Sequence, residues 1–365
     1  MIVLSRPQTM TSLLMGRMGD ALLWLFASVH VVAVAVLLLT LLSLTEAQAA
    51  EPTVTCAGSD LLVDMQKNEP ARYDAIVTEA DAIPNGKATF WKIEKAGAEP
   101  SWLLGTMHIS DPRVLAMPEG AKAAFDKAAV VIVESDEITS EKEASAKLLE
   151  QPELMMFLDG KSITDMLPKD DVAKLEAGLQ ARGIPLNAVL KMKPWILSSF
   201  VALPACEFAR KARGARFLDM KLANDALADG KRLVGLETLL EQMKALSDLP
   251  MSFHIQSLID MLQLGDRMED VMATMIDLYL KGDVGMIMPM MKSIDANISE
   301  SEAGYEAFEQ RIIDDRNHVM ADRAVPQLEQ GNVFMAVGAL HLPGKVGLVE
   351  LLRAKGFKLT AVHAG

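Results

Sequence analysis

Two histidines stand in the same local setting. His108 follows Ser101-Trp102-Leu103-Leu104-Gly105-Thr106-Met107, and His341 follows Val333-Phe334-Met335-Ala336-Val337-Gly338-Ala339-Leu340. In each case a short apolar run reads as a buried strand, a glycine closes it, and the histidine lies three residues beyond. Gly105 is expected to permit backbone angles that a side chain would resist. A proline-containing turn follows each histidine, at Asp111-Pro112 and at Pro343-Gly344. An imidazole delivered at a strand end suits divalent-metal ligation or proton transfer near neutral pH. One such histidine has a ready structural explanation; two in matching contexts point to chemistry.

Carboxylates occupy comparable places. Glu134 closes the run Val130-Val131-Ile132-Val133, and Glu237 closes the shorter run that begins at Arg232. A carboxylate leaving a sheet edge can ligate a metal, polarise water or orient a histidine. The plainer alternative is an ion pair at the rim. Asp219 is a weaker candidate, because capping the helix behind it would explain it as well. Arg316 is the best cation for an oxyanion, since its guanidinium offers several fixed donors; Arg311, Arg316 and Arg323 together would equally suit a solvated helical face. His254, His318 and His363 have no comparable context and read as structural. Met286-Ile287-Met288-Pro289-Met290-Met291 admits a thioether copper site, but flexible apolar filler is the stronger reading. The chain has no Gly-rich phosphate loop and no Gly-x-Ser-x-Gly elbow.

The elements that must position these residues follow from the pattern between them. Residues 87–94 alternate as a strand, residues 101–106 return as a second, and Pro118 is expected to open a helix buried through Ala121, Ala124, Phe125 and Ala128. With the strand into Glu134 this is a βαβ unit, which puts His108 and Glu134 at one sheet edge. Residues 333–363 repeat the plan: strand, Gly-x-x-His, helix, strand. The expected fold is therefore α/β, a central sheet built from two quasi-repeated halves at about 87–135 and 333–363. A large helical insertion, about 141–330, separates them. It would cover the site or carry specificity.

Residues 1–49 carry Arg6 and Arg17, an uncharged run from Ala21 to Thr45, and Ala47-Gln48-Ala49, which read as a secretory signal or an uncleaved anchor. The expectation is an exported chain, periplasmic or in the cell envelope, touching the membrane only through that segment if it is retained. Residues 50–365 form one domain and hold the whole formal charge of −13, which argues against nucleic acid or anionic lipid as partners. Cys56 and Cys206, an even pair in an exported chain, are a candidate disulfide, with two buried thiols as the alternative. Two cysteines cannot build a thiolate metal cage.

The chain resembles the TraB/GumN family, related to the Tiki proteases and more distantly to erythromycin-esterase and ChaN-like folds. The resemblance is carried by Ser101-Trp102-Leu103-Leu104-Gly105-Thr106-Met107-His108 with Asp111-Pro112-Arg113, by Val131-Ile132-Val133-Glu134, and by Gly235-Leu236-Glu237-Thr238 with Gln242. Arg316-Asn317 and Gly338-Ala339-Leu340-His341-Leu342-Pro343-Gly344 complete it, and Cys56 and Cys206 fall in matching segments. It implies an α/β core in which the two Gly-x-x-His motifs face each other beside Glu134, as in a metal-dependent protease. On that reading His108, Glu134 and His341 hold a divalent ion (Mn, Co or Zn), Arg316 stabilises an oxyanion, and Glu237 serves as base or support. Peptides or small molecules are the expected substrates. The rivals are a metal-independent His/Glu hydrolase, a protein that only binds a peptide or haem-like ligand, and an accessory of envelope polysaccharide export.

Overall fold

A computed structural model describes residues 56–265, 267–294 and 304–362. The leader 1–49 and His363 lie outside them. A six-stranded sheet has the order β4-β3-β5-β2-β1-β6, with β1 at Phe90–Glu94, β2 at Ser101–Thr106, β3 at Val130–Val133, β4 at Arg232–Gly235, β5 at Val333–Gly338 and β6 at Lys358–Ala361. Strands β4, β3, β5 and β2 run parallel, and β1 pairs antiparallel with both β2 and β6. The four parallel strands are apolar on both faces because helices cover both. Leu103, Ile132, Val333, Met335 and Val337 pack with helices Asp315–Leu328 and Leu348–Ala354. Their neighbours Leu104, Val131, Val133, Phe334 and Ala336 pack with Ala121–Lys127 and Leu218–Ala228. The period-two side-chain alternation of a strand divides the two cores.

Two expectations change. The quasi-repeats do not sit as two halves of a sheet: β5 inserts between β3 and β2, so the units interleave. That places the two Gly-x-x-His loops on adjacent strands. Pro118 does not open a helix; helix Ala121–Lys127 starts behind Gly120, and Pro118 accepts from Ala121 N in the preceding turn. Pro112 does so instead, at the start of the short helix Pro112–Leu115, with the Asp111 side chain capping Arg113 N.

The insertion has a core of its own, in which helices Lys169–Gln180, Pro194–Val201 and Met251–Leu264 close over Ile163, Leu175, Leu179, Leu197 and Leu258. Helices Leu61–Asn68, Pro70–Asp81 and Arg267–Leu280 pack with the methionine segment against Met107, Ile109, Ala339 and Leu340. Cys56 and Cys206 form a disulfide, which ties the first described residue to helix Ala205–Ala212. Among the described residues no helix is long and apolar enough to cross a membrane.

Candidate metal centre

Four parallel strands deliver four side chains to one edge. His108 lies two residues past β2, Glu134 directly past β3, Glu237 two past β4, and His341 ends the 3₁₀ turn Ala339–His341 behind β5. Carboxyl ends of parallel strands are where an open α/β sheet leaves a crevice. The glycines matter here through space. A Cβ on Gly338 would stand 3.0 Å from Glu134 Oε1 and 3.4 Å from the His341 ring, and one on Gly105 would stand 3.0 Å from Ala339 Cα. Gly105 lies within β2. Its role is the close approach of the two loops rather than an unusual backbone angle, which corrects the expectation from sequence.

Glu134 is the hub. Its Oε1 accepts from Gly338 N at 2.6 Å, and its Oε2 accepts from Arg316 Nη2 at 2.7 Å and Gln242 Nε2 at 3.2 Å. Burial opposes its ionisation. The His341 and His108 rings, the Arg316 guanidinium and the Gly338 N–H more than compensate, and the carboxyl falls from 4.5 to about 2. Where His341 is uncharged, Arg316 and His108 do that work.

His341 is 6% exposed. Its Nδ1 meets Asn317 Oδ1 at 2.7 Å, while Asn317 Nδ2 donates to Val346 O at 3.0 Å. With the amide fixed by its donation to a carbonyl, Oδ1 must accept, so Nδ1 carries the proton. Burial is the main influence on the ring and lowers it to about 4, against the pull of Glu134. At neutral pH Nε2 therefore offers a lone pair, 3.8 Å from Glu134 Oε1. This is the tautomer a metal-ligating histidine needs, held by the partner behind it.

His108 and Asp219 face each other across the same space, with Nε2 3.6 Å from Oδ1. Thr106 Oγ1 also donates to Asp219 Oδ1, at 2.6 Å. Burial works against a charge on His108. Asp219 and Glu134 overcome it and raise the ring to about 9, although 54% of the side chain is exposed and water screens part of that attraction. Asp219 is not a cap: Phe217 holds the N-cap position of helix Leu218–Ala228. Asp219 is 2% exposed, and its Oδ2 is buried with no hydrogen-bond partner among the described residues. Ligand atoms from His108, Glu134 and Asp219 lie within 4.8 Å of one another.

This donor set fits a divalent ion. An unpartnered buried carboxylate oxygen asks for a cation. Imidazole and carboxylate ligands without thiolate suit Zn, Mn or Co rather than copper(I). Asp219, the weaker candidate in sequence, joins His108 and Glu134 directly, whereas His341 reaches the group through Glu134.

Arg316 and Glu237 stand behind the group. Arg316 Nε lies 3.1 Å from both Glu237 oxygens, and Nη2 bridges Glu237 Oε2 and Glu134 Oε2, each at 2.7 Å. Its Nη1 donates to Ile312 O. The guanidinium expected to meet a substrate oxyanion is committed to two buried glutamates instead. Gln242 reaches both carboxylates from helix Leu239–Ser247, which starts at a capping box of Thr238 and Glu241.

Sequence reasoning missed the residues that fix the His108 loop. Tyr279 Oη donates to Gly105 O, Lys211 Nζ to His108 O, and Ser110 N to Glu207, which is 2% exposed. The disulfide anchors the helix carrying Glu207 and Lys211. A glutamate beside a cysteine was the available signal. Of the histidines read as structural, His254 is buried with Nε2 at Leu246 O, and His318 is exposed.

The sequence profile of the TraB/PrgY/gumN family matches residues 89–361. Curated relatives include metalloprotease TIKI1 of Xenopus tropicalis, 26% identical over 326 residues, which covers 75% of this chain and 61% of the relative. Metalloprotease TIKI2 of Xenopus tropicalis is 25% identical over 315 residues, 73% of this chain and 58% of the relative. Human metalloprotease TIKI1 is 25% identical over 321 residues, with 75% and 62% covered. The chain thus spans about three fifths of the length of these relatives. No solved structure matches it.

Proposed function

We propose that this chain, which belongs to the TraB/PrgY/gumN family, is an exported hydrolase that cleaves peptide bonds with the help of a divalent ion. The observation that carries the reading is the unpartnered Asp219 Oδ2, set beside His108, Glu134 and the unprotonated Nε2 of His341. The names of the relatives, metalloproteases, point the same way. Export is supported by the disulfide and by the leader pattern of residues 1–49.

His108, Glu134 and Asp219 would hold the ion, with His341 Nε2 adjoining through Glu134. Bound there, a Zn, Mn or Co ion supplies Lewis acidity that polarises a scissile carbonyl and acidifies water. The chain's own residues keep the donors ready. Arg316 holds Glu134 ionised and in place and neutralises it together with Glu237. Asn317 holds the His341 tautomer, and Thr106 leaves only one Asp219 oxygen committed. His108, half exposed, marks the side from which substrate enters.

Hydrolysis of a mixed peptide library by the purified chain, followed by mass spectrometry, tests the reading. Cleavage should disappear with a chelator, return with the metal, and be lost in Glu134→Gln. Cleavage indifferent to chelation would favour the metal-independent His/Glu hydrolase. A folded chain that binds metal and cleaves nothing would favour the binding-protein or export-accessory alternatives.

A further inference from the structure

A cavity of about 560 Å³ lies between the insertion and the methionine-rich helices, within the roughly 300–1,000 Å³ of ordinary ligand pockets. Its walls are mostly apolar, among them Phe253, Met272, Met275, Met288, Met291 and Leu340. Methionine gives an adaptable lining for apolar groups of varied shape. That assigns a use to the methionines that the metal centre leaves out.

Two features tie the cavity to the metal centre. Leu340 lines it and directly precedes His341. Met272 and Met275 line it from helix Arg267–Leu280, and Tyr279, one turn beyond Met275, bonds Gly105 O in β2, three residues before His108. The cavity therefore adjoins the His341 loop, and Tyr279 connects the helix that lines it to β2, which leads into His108.

From this we infer that the cavity is the specificity pocket of the hydrolase proposed above. It takes a large apolar side chain of a peptide substrate. The inference rests on the hydrolase reading, but binding can be measured without hydrolysis.

The test uses the purified chain labelled with ¹³C-methyl methionine, titrated with N-acetyl-phenylalaninamide and with N-acetyl-alaninamide. Resonances of Met272, Met275 and Met291, assigned from single Met→Leu variants, should shift saturably with the phenylalanine probe and at least about 10-fold more weakly with the alanine probe. Peptides with Phe at one position near the cut should exceed their Ala counterparts in kcat/KM by about 10-fold or more, and Met291→Trp should shrink that ratio. Methionine shifts in a chain that cleaves no peptide would keep the pocket and remove the hydrolase reading. Hydrolysis with no methionine shift, or equal shifts from both probes, would overturn the pocket and leave the hydrolase standing.

Discussion

Replacing Asn317 with alanine tests whether the second histidine is held for ligation. Asn317 is fully buried, accepts from His341 Nδ1 and donates to Val346 O. Asn317→Ala strands a buried imidazole N–H, at about 1–3 kcal/mol, and removes a partly exposed bond worth about 1 kcal/mol. The expected loss of stability in the metal-free protein is about 2–4 kcal/mol, read from urea unfolding followed by circular dichroism. The freed ring can rotate and change tautomer, so affinity for Zn or Mn should fall about 10–100-fold by calorimetry. Asn317→Asp separates the two effects. It keeps an acceptor for Nδ1–H and loses the donor to Val346, so it should lose stability yet hold metal affinity within a few-fold. Unchanged affinity in Asn317→Ala, or equal loss in both variants, would refute the argument that the Nδ1 partner prepares His341.

Arg316→Met should cost about 3–5 kcal/mol near neutral pH, because Glu134 and Glu237 are left buried without their cation; the deficit should shrink as acid protonates Glu134, which urea unfolding at several pH values would follow. Gly338→Ala pushes a methyl group into Glu134 Oε1 at 3.0 Å, so it should lower metal affinity at least about 10-fold and stability by about 1–3 kcal/mol, and full affinity would contradict the packing argument. His254 is kept neutral chiefly by burial, which lowers its pKa against the pull of the Leu246 carbonyl. The unfolded chain then takes up the proton first, so the stability due to His254 is present above about pH 6.5 and is lost as pH falls. Comparing unfolding of the parent and His254→Gln between about pH 7 and 5 should show a steeper acid-side decline in the parent.

Much of the site was legible because strands announce themselves by composition. Runs such as Val130–Val133 and Val333–Val337 are apolar on both faces only when helices cover both, and such strands run parallel. A polar side chain just past each was thereby placed at one edge. What the pattern could not supply was strand order. The similarity of residues 101–134 and 333–363 suggested halves side by side, whereas order depends on crossovers that local periodicity does not record. Asp219 was undervalued for a similar reason, since an acid near a helix start has a local explanation until the fold buries it beside His108. Arg316 was read as available because sequence does not show which charges face it. Only the joining of β3, β4 and helix Asp315–Leu328 brings Glu134 and Glu237 to its guanidinium. The pairing of Cys56 with Cys206 was legible from number and compartment, without geometry.

The central claim is that Glu134 and its neighbours hold a divalent ion, and calorimetric titration of the chelator-treated chain with Zn or Mn tests it most directly. One ion per chain should bind, and Glu134→Gln, His108→Ala and Asp219→Asn should each weaken it by about 100-fold or more while the protein stays folded, as expected where side chains supply the bond and little apolar burial. Absence of binding by the parent, or equal affinity in Glu134→Gln, would contradict the account.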